Sequence, residues 1–291
     1  MNVNCGIFRL AVFRLAVAAA ALAVGGATAC TTDDNDPGAT GNGGARAGST
    51  GTGGSGLTGG AGGGSATGTI CAGSYLVPAA SPGIADFDAW DGASDISKWS
   101  APLGGDTAAG VYAGPFTYGD RANGFPETSG MVAGQSSTYA FRIADTLAAN
   151  YGGGLGTWLS ACLNATAFSG VTFWARGMSP KGTATLTLQM QDTLPSTPAK
   201  AGDPIGTCAG TATTCIHPIF AFPLTATWTK ISVPWASFTA GNAAGTAVRP
   251  DGKNISQLQV AIDLNWMPDA AGVYMPVPAP YELAIDTLAF Y

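Results

Sequence analysis

Three stretches of the chain place an apolar residue at every second position and a polar one between. In T-L-T-L-Q-M-Q-D the apolar set is Leu186, Leu188 and Met190; in L-Q-V-A-I-D-L-N-W it is Leu258, Val260, Ile262 and Leu264; in G-V-T-F-W-A-R-G it is Val171, Phe173 and Ala175. A period of two puts alternate side chains on opposite faces of a strand, and no helix can hold such a set on one face. The same rhythm predicts strands over Ile84–Asp88, Val111–Tyr118, Thr138–Ala144, Gly156–Leu163, Val171–Arg176, Ala184–Asp192, Ile219–Phe222, Trp228–Pro234, Leu258–Trp266 and Glu282–Phe290, separated by turn residues. No convincing helix is present, though Ile143–Tyr151 has room for one short turn. Strands of this number, each with one face to bury, predict an all-β fold: an antiparallel β-sandwich of two packed sheets. The Pro- and Gly-containing stretch 193–217 is expected to be a surface loop.

The N-terminus differs in kind. Arg9 and Arg14 precede an apolar run from Leu15 to Val24, followed by small residues up to Cys30. This pattern is that of an export signal, and the run is shorter than the roughly 20 apolar residues that span a bilayer. Ala27-Thr28-Ala29-Cys30 resembles the lipobox of bacterial lipoproteins, which implies cleavage after residue 29 and lipidation of Cys30. Residues 31–69 are almost entirely Gly, Ser, Thr, Ala and Asp, with no aromatic side chain. Such a segment buries too little apolar surface to order itself. As a coil of about forty residues it reaches roughly 35 Å. The expected organisation is a signal peptide over 1–29, a lipidated cysteine and flexible tether over 30–70, and a folded domain over 71–291. The expected location is the cell envelope, at the outer membrane or cell surface, with the lipid as the link to the membrane.

Cysteine usage fits an oxidising compartment. Cys5 leaves with the signal and Cys30 is set aside for lipid, which leaves Cys71, Cys162, Cys208 and Cys215. Four cysteines in an exported domain suggest two disulfides, with three possible connectivities. Pairing of Cys208 with Cys215 across a short Gly/Thr-rich loop is favoured, leaving Cys71 for Cys162. No C-x₂-C or Cys/His spacing marks a zinc site.

Charge and catalytic content exclude further classes. Only 10% of residues are charged and the net charge is −6, so no basic surface serves a nucleic acid. Glu127 and Glu282 are the only glutamates, whereas glycoside hydrolysis generally sets two carboxyls across the scissile bond. The single histidine, His217, precedes a proline beside the 208–215 loop and suits a structural role better than a catalytic one. No G-x-S-x-G elbow occurs in the domain.

The outward positions of the three strands hold Trp174, Arg176, Gln189, Gln191, Asp263 and Asn265. Planar amides, a carboxylate and a guanidinium pair with adjacent sugar hydroxyls, and an indole packs on the C–H face of a pyranose. These six are the candidate carbohydrate-binding residues, with a polysaccharide as the expected partner and a monomer as the expected state. The competing reading has Trp174 covered by a loop and Arg176 paired with Asp263. The segments G-V-T-F-W-A-R-G, W-T-K-I-S-V-P-W-A-S-F and Y-E-L-A-I-D-T-L-A-F-Y resemble strands of jelly-roll carbohydrate-binding modules with a galactose-binding-domain-like fold, such as family 11 and the complex I intermediate-associated protein family. The resemblance spans about 84–291 and implies non-catalytic glycan binding, with a glycan-cleaving enzyme or an adhesive surface protein as alternatives. It also implies a structural calcium ion held by Asp86, Asp88 and Asp286, although D-F-D-A-W-D departs from the commoner acidic pair followed by Phe-Glu.

Lipidation of Cys30 predicts that a palmitate analogue labels the wild-type protein in growing cells and fails to label Cys30→Ser. Equal labelling of the two would refute the anchor.

Overall fold

The computed structural model describes residues 71–291 apart from 72–73, 89, 91–99, 106, 120–125, 149–151, 198–204, 212 and 271. The signal segment, Cys30 and the tether lie outside the described residues. The strands, in chain order, are β1 (Ser74–Leu76), β2 (Gly83–Ala85), β3 (Ala101–Pro102), β4 (Tyr112–Gly119), β5 (Thr128–Ala133), β6 (Tyr139–Ala148), β7 (Gly153–Asn164), β8 (Gly170–Met178) and β9 (Thr183–Met190). They continue with β10 (Cys215–Ile216), β11 (Ile219–Pro223), β12 (Thr229–Pro234), β13 (Gly241–Ala243), β14 (Thr246–Val248), β15 (Ile255–Ile262), β16 (Trp266–Pro268), β17 (Tyr274–Pro276) and β18 (Ala279–Phe290).

Two large sheets carry the fold. The first has the order β11-β9-β15-β7-β4-β3, and the second β12-β8-β18-β6-β5. Pairing is antiparallel throughout these paths, while β1 adds to β7 in parallel and β2 adds to β18. Alternation decides which face of each sheet is buried. Val171, Phe173 and Ala175 from β8 are at most 2% exposed, as are Leu186, Leu188 and Met190 from β9. These side chains, with Leu258, Val260 and Ile262 of β15 and Leu283 and Ile285 of β18, form one apolar core between the sheets. Phe173 of the second sheet meets Phe222 of the first edge-on, with ring centroids 5.5 Å apart. The all-β sandwich expected from the alternation is therefore the fold.

Local departures from the expected strands have local causes. The strand expected over 84–88 stops at Ala85 because Phe87 adopts φ 64°, which turns the chain out of the sheet. The strand expected to reach Asp192 ends at Met190, and Gln191–Thr193 form a 3₁₀ turn instead. The strand expected to reach Trp266 ends at Ile262, and Trp266 opens a separate hairpin with β17. The segment after Ile143 continues as strand to Ala148, so residues 143–148 contain no helical turn. In β18 the register shifts between Asp286 and Ala289, where Thr287 takes φ 48°. This bulge moves the buried set from Leu283 and Ile285 to Leu288 and Phe290.

Both expected disulfides are present, Cys71–Cys162 and Cys208–Cys215. The first pins the start of the domain beside its middle, and Ser74–Leu76 then run alongside Cys162–Asn164. The second braces the 193–217 segment. That segment is not purely superficial: Thr193 and His217 are almost fully buried, and the Thr193 hydroxyl lies 2.8 Å from His217 Nδ1. Thr193 donates its single proton to the Met190 carbonyl, so Nδ1–H of a neutral imidazole donates to Thr193. Burial pushes the His217 pKa down to about 4.

Because the folded-state value lies below the unfolded one, His217 costs nothing above pH ~6.5. As the solution is acidified the unfolded chain binds a proton that the fold refuses. Stability is therefore expected to fall as pH drops from 6.5 towards 4, with a His217 contribution of about 3 kcal/mol when complete. Urea midpoints measured across this range should decline more shallowly in His217→Gln than in the wild type. Parallel profiles would show that the imidazole is not the titrating group.

Candidate functional site

Each large sheet has an outward face, and the candidate binding residues are divided between them. Trp174 and Arg176 alternate with Val171, Phe173 and Ala175 on β8 and so stand on the outside of the second sheet. Gln189 alternates with Leu188 and Met190 on β9 and stands on the outside of the first. The shared core lies between them, so Trp174 and Arg176 cannot act with Gln189 on one ligand. This corrects the single six-residue site expected from alternation. A period of two shows which residues share a strand face, but the face that two strands have in common depends on which sheet each one joins.

The remaining candidates are also specified more closely. Gln191 lies in the 3₁₀ turn beyond β9. Asp263, just past β15, is 3% exposed and accepts hydrogen bonds from the hydroxyls of Thr183 and Thr185. Its carboxylate tethers strand ends and faces no solvent. Asn265 is exposed, and its side-chain amide donates to the Pro180 carbonyl at 2.8 Å. The suggested Arg176–Asp263 pair does not form; the Arg176 guanidinium instead stacks on Trp228, 5.0 Å from the ring centre.

The outer face of the first sheet carries a feature that the candidate set missed. Register aligns Gly114 of β4 with Trp158 of β7, Phe116 with Gly156, and Tyr118 with Gly154. In each pair an aromatic residue faces a glycine. A Cβ at Gly114 would collide with the Trp158 indole, one at Gly156 with the Phe116 ring, and one at Gly154 with the Tyr118 phenol. The three rings therefore lie across bare backbone, each half-buried with one face against the sheet. Beside them on β15, Gln257 is opposite Trp158 and Gln259 opposite Gly156, while Gln189 of β9 is opposite Gln257. The Gln259 side-chain amide donates to the Tyr118 hydroxyl, which orients both. The indole N–H of Trp158 is buried with no acceptor among the described residues.

From Gly114 to Tyr118 the aromatic strip covers four residue steps, about 13 Å at 3.3 Å per residue. Flat rings beside a row of amides offer apolar contact and bidentate hydrogen bonding along one line. A sequence signal for this existed: glycines at the outward positions of G-G-L-G-T-W alternate opposite the outward aromatics of P-F-T-Y. It becomes legible only once β4 and β7 are known to pair.

The residues suggested for calcium do not fit that role as arranged. Asp286 is fully buried and accepts from the backbone N–H groups of Gln135 and Ser136 and from the hydroxyls of Ser137 and Thr287. Burial alone would push its carboxyl up, but these four donors prevail and hold it below the usual carboxylate range. Asp88 accepts from the Tyr139 N–H, and Asp86 accepts from the Asp88 N–H. Among the described residues no group of three or more His, Cys, Asp or Glu side chains is placed to hold a metal ion. Asp286 acts here as the anchor of the β5–β6 turn. The two glutamates are engaged as well: Glu127 accepts from the backbone N–H and hydroxyl of Thr146, and Glu282 pairs with Arg142.

No protein-family model matches the chain, and no curated protein matches it. Several solved structures are similar to it. A family 11 carbohydrate-binding module from Clostridium thermocellum, in complex with a β-1,3-1,4-mixed-linked tetrasaccharide, is 11% identical, with 72% of this chain and 94% of that chain covered at a TM-score of 0.36. A TmCBM61 structure in complex with β-1,4-galactotriose is 12% identical, with 61% and 87% covered at 0.30. The glycoside hydrolase domain of Endo-D from Streptococcus pneumoniae is 10% identical, with 62% of this chain but 22% of that chain covered at 0.29.

If Asp286 holds the turn through its charge, Asp286→Asn turns a donor towards donors and should lower stability by about 2 kcal/mol or more. Chemical denaturation measures this. EDTA should leave the wild-type midpoint in place, and a clear fall on chelation would restore the calcium reading.

Proposed function

We propose that this protein is a non-catalytic glycan-binding module, and that the outer face of the first sheet is its binding surface. The observation carrying this reading is the strip of Trp158, Phe116 and Tyr118 laid over glycines beside Gln257, Gln259 and Gln189. Rings laid over glycines cover bare backbone and so also support the sheet; what suits this face to a linear, neutral polysaccharide is the row of amides beside them, because successive pyranoses present C–H faces to the rings and equatorial hydroxyls to the amides. The strip is long enough for two or three sugars. The reading of binding without cleavage is supported by the glutamates: Glu127 and Glu282 are both held by other groups, and neither belongs to this strip.

In this reading the N-terminal signal exports the chain, the lipid on Cys30 anchors it at the envelope, and the low-complexity tether lets the sandwich reach a polymer beyond the membrane. One lipidated cysteine with several acyl chains holds far more firmly than a single myristoyl group.

Affinity electrophoresis against mixed-linkage β-glucan, galactan, xylan and mannan tests the surface. At least one gel should retard the wild-type domain without release of oligosaccharides. Trp158→Ala should weaken that retention about tenfold or more, equivalent to about 1.4 kcal/mol. Tyr118→Phe, which keeps the ring and loses the hydroxyl, should weaken it less. Retention by none of the four polymers, or full retention by a folded Trp158→Ala, would sink the proposal.

A further inference from the structure

The outer face of the second sheet has a different chemistry. Around the middle of β8, register places Lys230 of β12 and Asp286 of β18 on either side of Trp174. One step along, Ala284 of β18 lies between Arg176 of β8 and Arg142 of β6. Arg142 is committed: its Nε and Nη2 reach the two oxygens of Glu282, both at 3.0 Å. Glu282 is thereby used, and Asp286 is closed off beneath the β5–β6 turn.

Arg176 feels the Glu282 charge at a distance, which helps hold that carboxyl below its usual range, but no carboxylate among the described residues hydrogen-bonds it. It is half-buried and packed on the Trp228 indole, its Nε is fully buried, and no acceptor among the described residues receives any of its N–H groups. Buried polar groups are ordinarily satisfied. Stacking on an indole fixes a guanidinium in place and leaves its planar edge of donors preorganised. Lys230 is exposed and also without a partner among the described residues. With Glu282 hydrogen-bonded to Arg142, Arg176 and Lys230 are cations of this face that no carboxylate among the described residues pairs, on a chain whose overall charge is −6. Trp174 lies between those two cations, half-exposed, two residues from Arg176. That spacing is about 7 Å along a strand. It matches a pyranose ring seated on the indole with its own carboxylate reaching the guanidinium.

We propose that the outer face of the second sheet is a second glycan site, specific for a uronic acid: Trp174 seats the sugar ring, Arg176 binds its carboxylate, and Lys230 adds charge beside the ring. Arg–carboxylate pairing is the charge-assisted, bidentate kind that a neutral hydroxyl cannot replace. The site does not depend on the aromatic strip of the first sheet. Both faces together make the module able to hold a neutral and an acidic chain at once, on opposite sides of one sandwich.

The test uses the folded domain with polygalacturonate as the probe, alongside a neutral galactan and dextran sulfate. Polygalacturonate should retard the wild type, and added salt should reduce the retardation. Arg176→Gln and Trp174→Ala should each weaken it at least tenfold, with melting temperatures near that of the wild type. Retention of neutral polymer by the first sheet should be unchanged in Arg176→Gln and weakened about tenfold or more in Trp158→Ala, whereas Trp158→Ala should keep its grip on polygalacturonate. Absence of binding to polygalacturonate would overturn the proposal, as would binding that Arg176→Gln leaves intact. Stronger retention by dextran sulfate than by polygalacturonate would overturn the carboxylate specificity and reduce the face to a general anion surface.

Discussion

Contact between the two sheets through a single apolar layer is the constraint on which everything else here depends. Phe173 meets Phe222 across this layer, and Val171, Leu186, Leu188, Leu258 and Val260 belong to it as well. Each strand in the layer must send alternate side chains inward, so each must also send the others outward, and a one-residue slip would invert both sets. The outward faces are therefore as strictly specified as the core. A chain that fills its outward positions with tryptophan, tyrosine, glutamine and arginine has used this rigidity to fix the positions of polar and aromatic groups on two rigid surfaces.

The two faces hold their outward side chains in different ways. On the first sheet, glycine removes every Cβ that would lift a ring, so Trp158, Phe116 and Tyr118 lie close against the sheet. On the second, neighbours hold side chains upright or fix them by stacking: Arg176 on Trp228, and Arg142 on Glu282. The Arg142–Glu282 pair raises the arginine pKa and lowers that of the glutamate, chiefly through the hydrogen bonds between them. A partly exposed pair of this kind contributes little to stability. Its consequence is positional, since it leaves Arg176 as a guanidinium that no carboxylate among the described residues hydrogen-bonds.

Long-range ties hold these surfaces in register. Cys71–Cys162 joins the start of the domain to β7, the strand that carries Trp158. Asp286 closes the β5–β6 turn over the bulge in β18, and Asp263 gathers the hydroxyls of Thr183 and Thr185 at the end of β9. Two of the carboxylates that looked available for a metal or a sugar, Asp286 and Asp263, are in the fold internal fastenings, each buried and each accepting from several donors, whereas Asp86 and Asp88 stay exposed.

Short strands such as β1, β5 and β13 escaped local patterning, but it was enough to find the long strands of the two large sheets, most of their buried faces and the two-sheet class, and it favoured the disulfide pairing that forms. These depend on period-two alternation and on cysteines in an exported chain, both properties of nearby or countable residues. It also singled out Trp174 and Arg176 as outward residues, and they are. What only the tertiary structure decided is which strands share a sheet. That choice separated Trp174 and Arg176 from Gln189, withdrew Asp263 and Asp286 from solvent, and assembled Gly114, Phe116, Tyr118, Gly154, Gly156 and Trp158 from two strands into one aromatic strip. The reason is physical: alternation orients a side chain relative to its own strand, whereas pairing partners are set by the packing of the whole apolar layer, which no single segment of the chain contains.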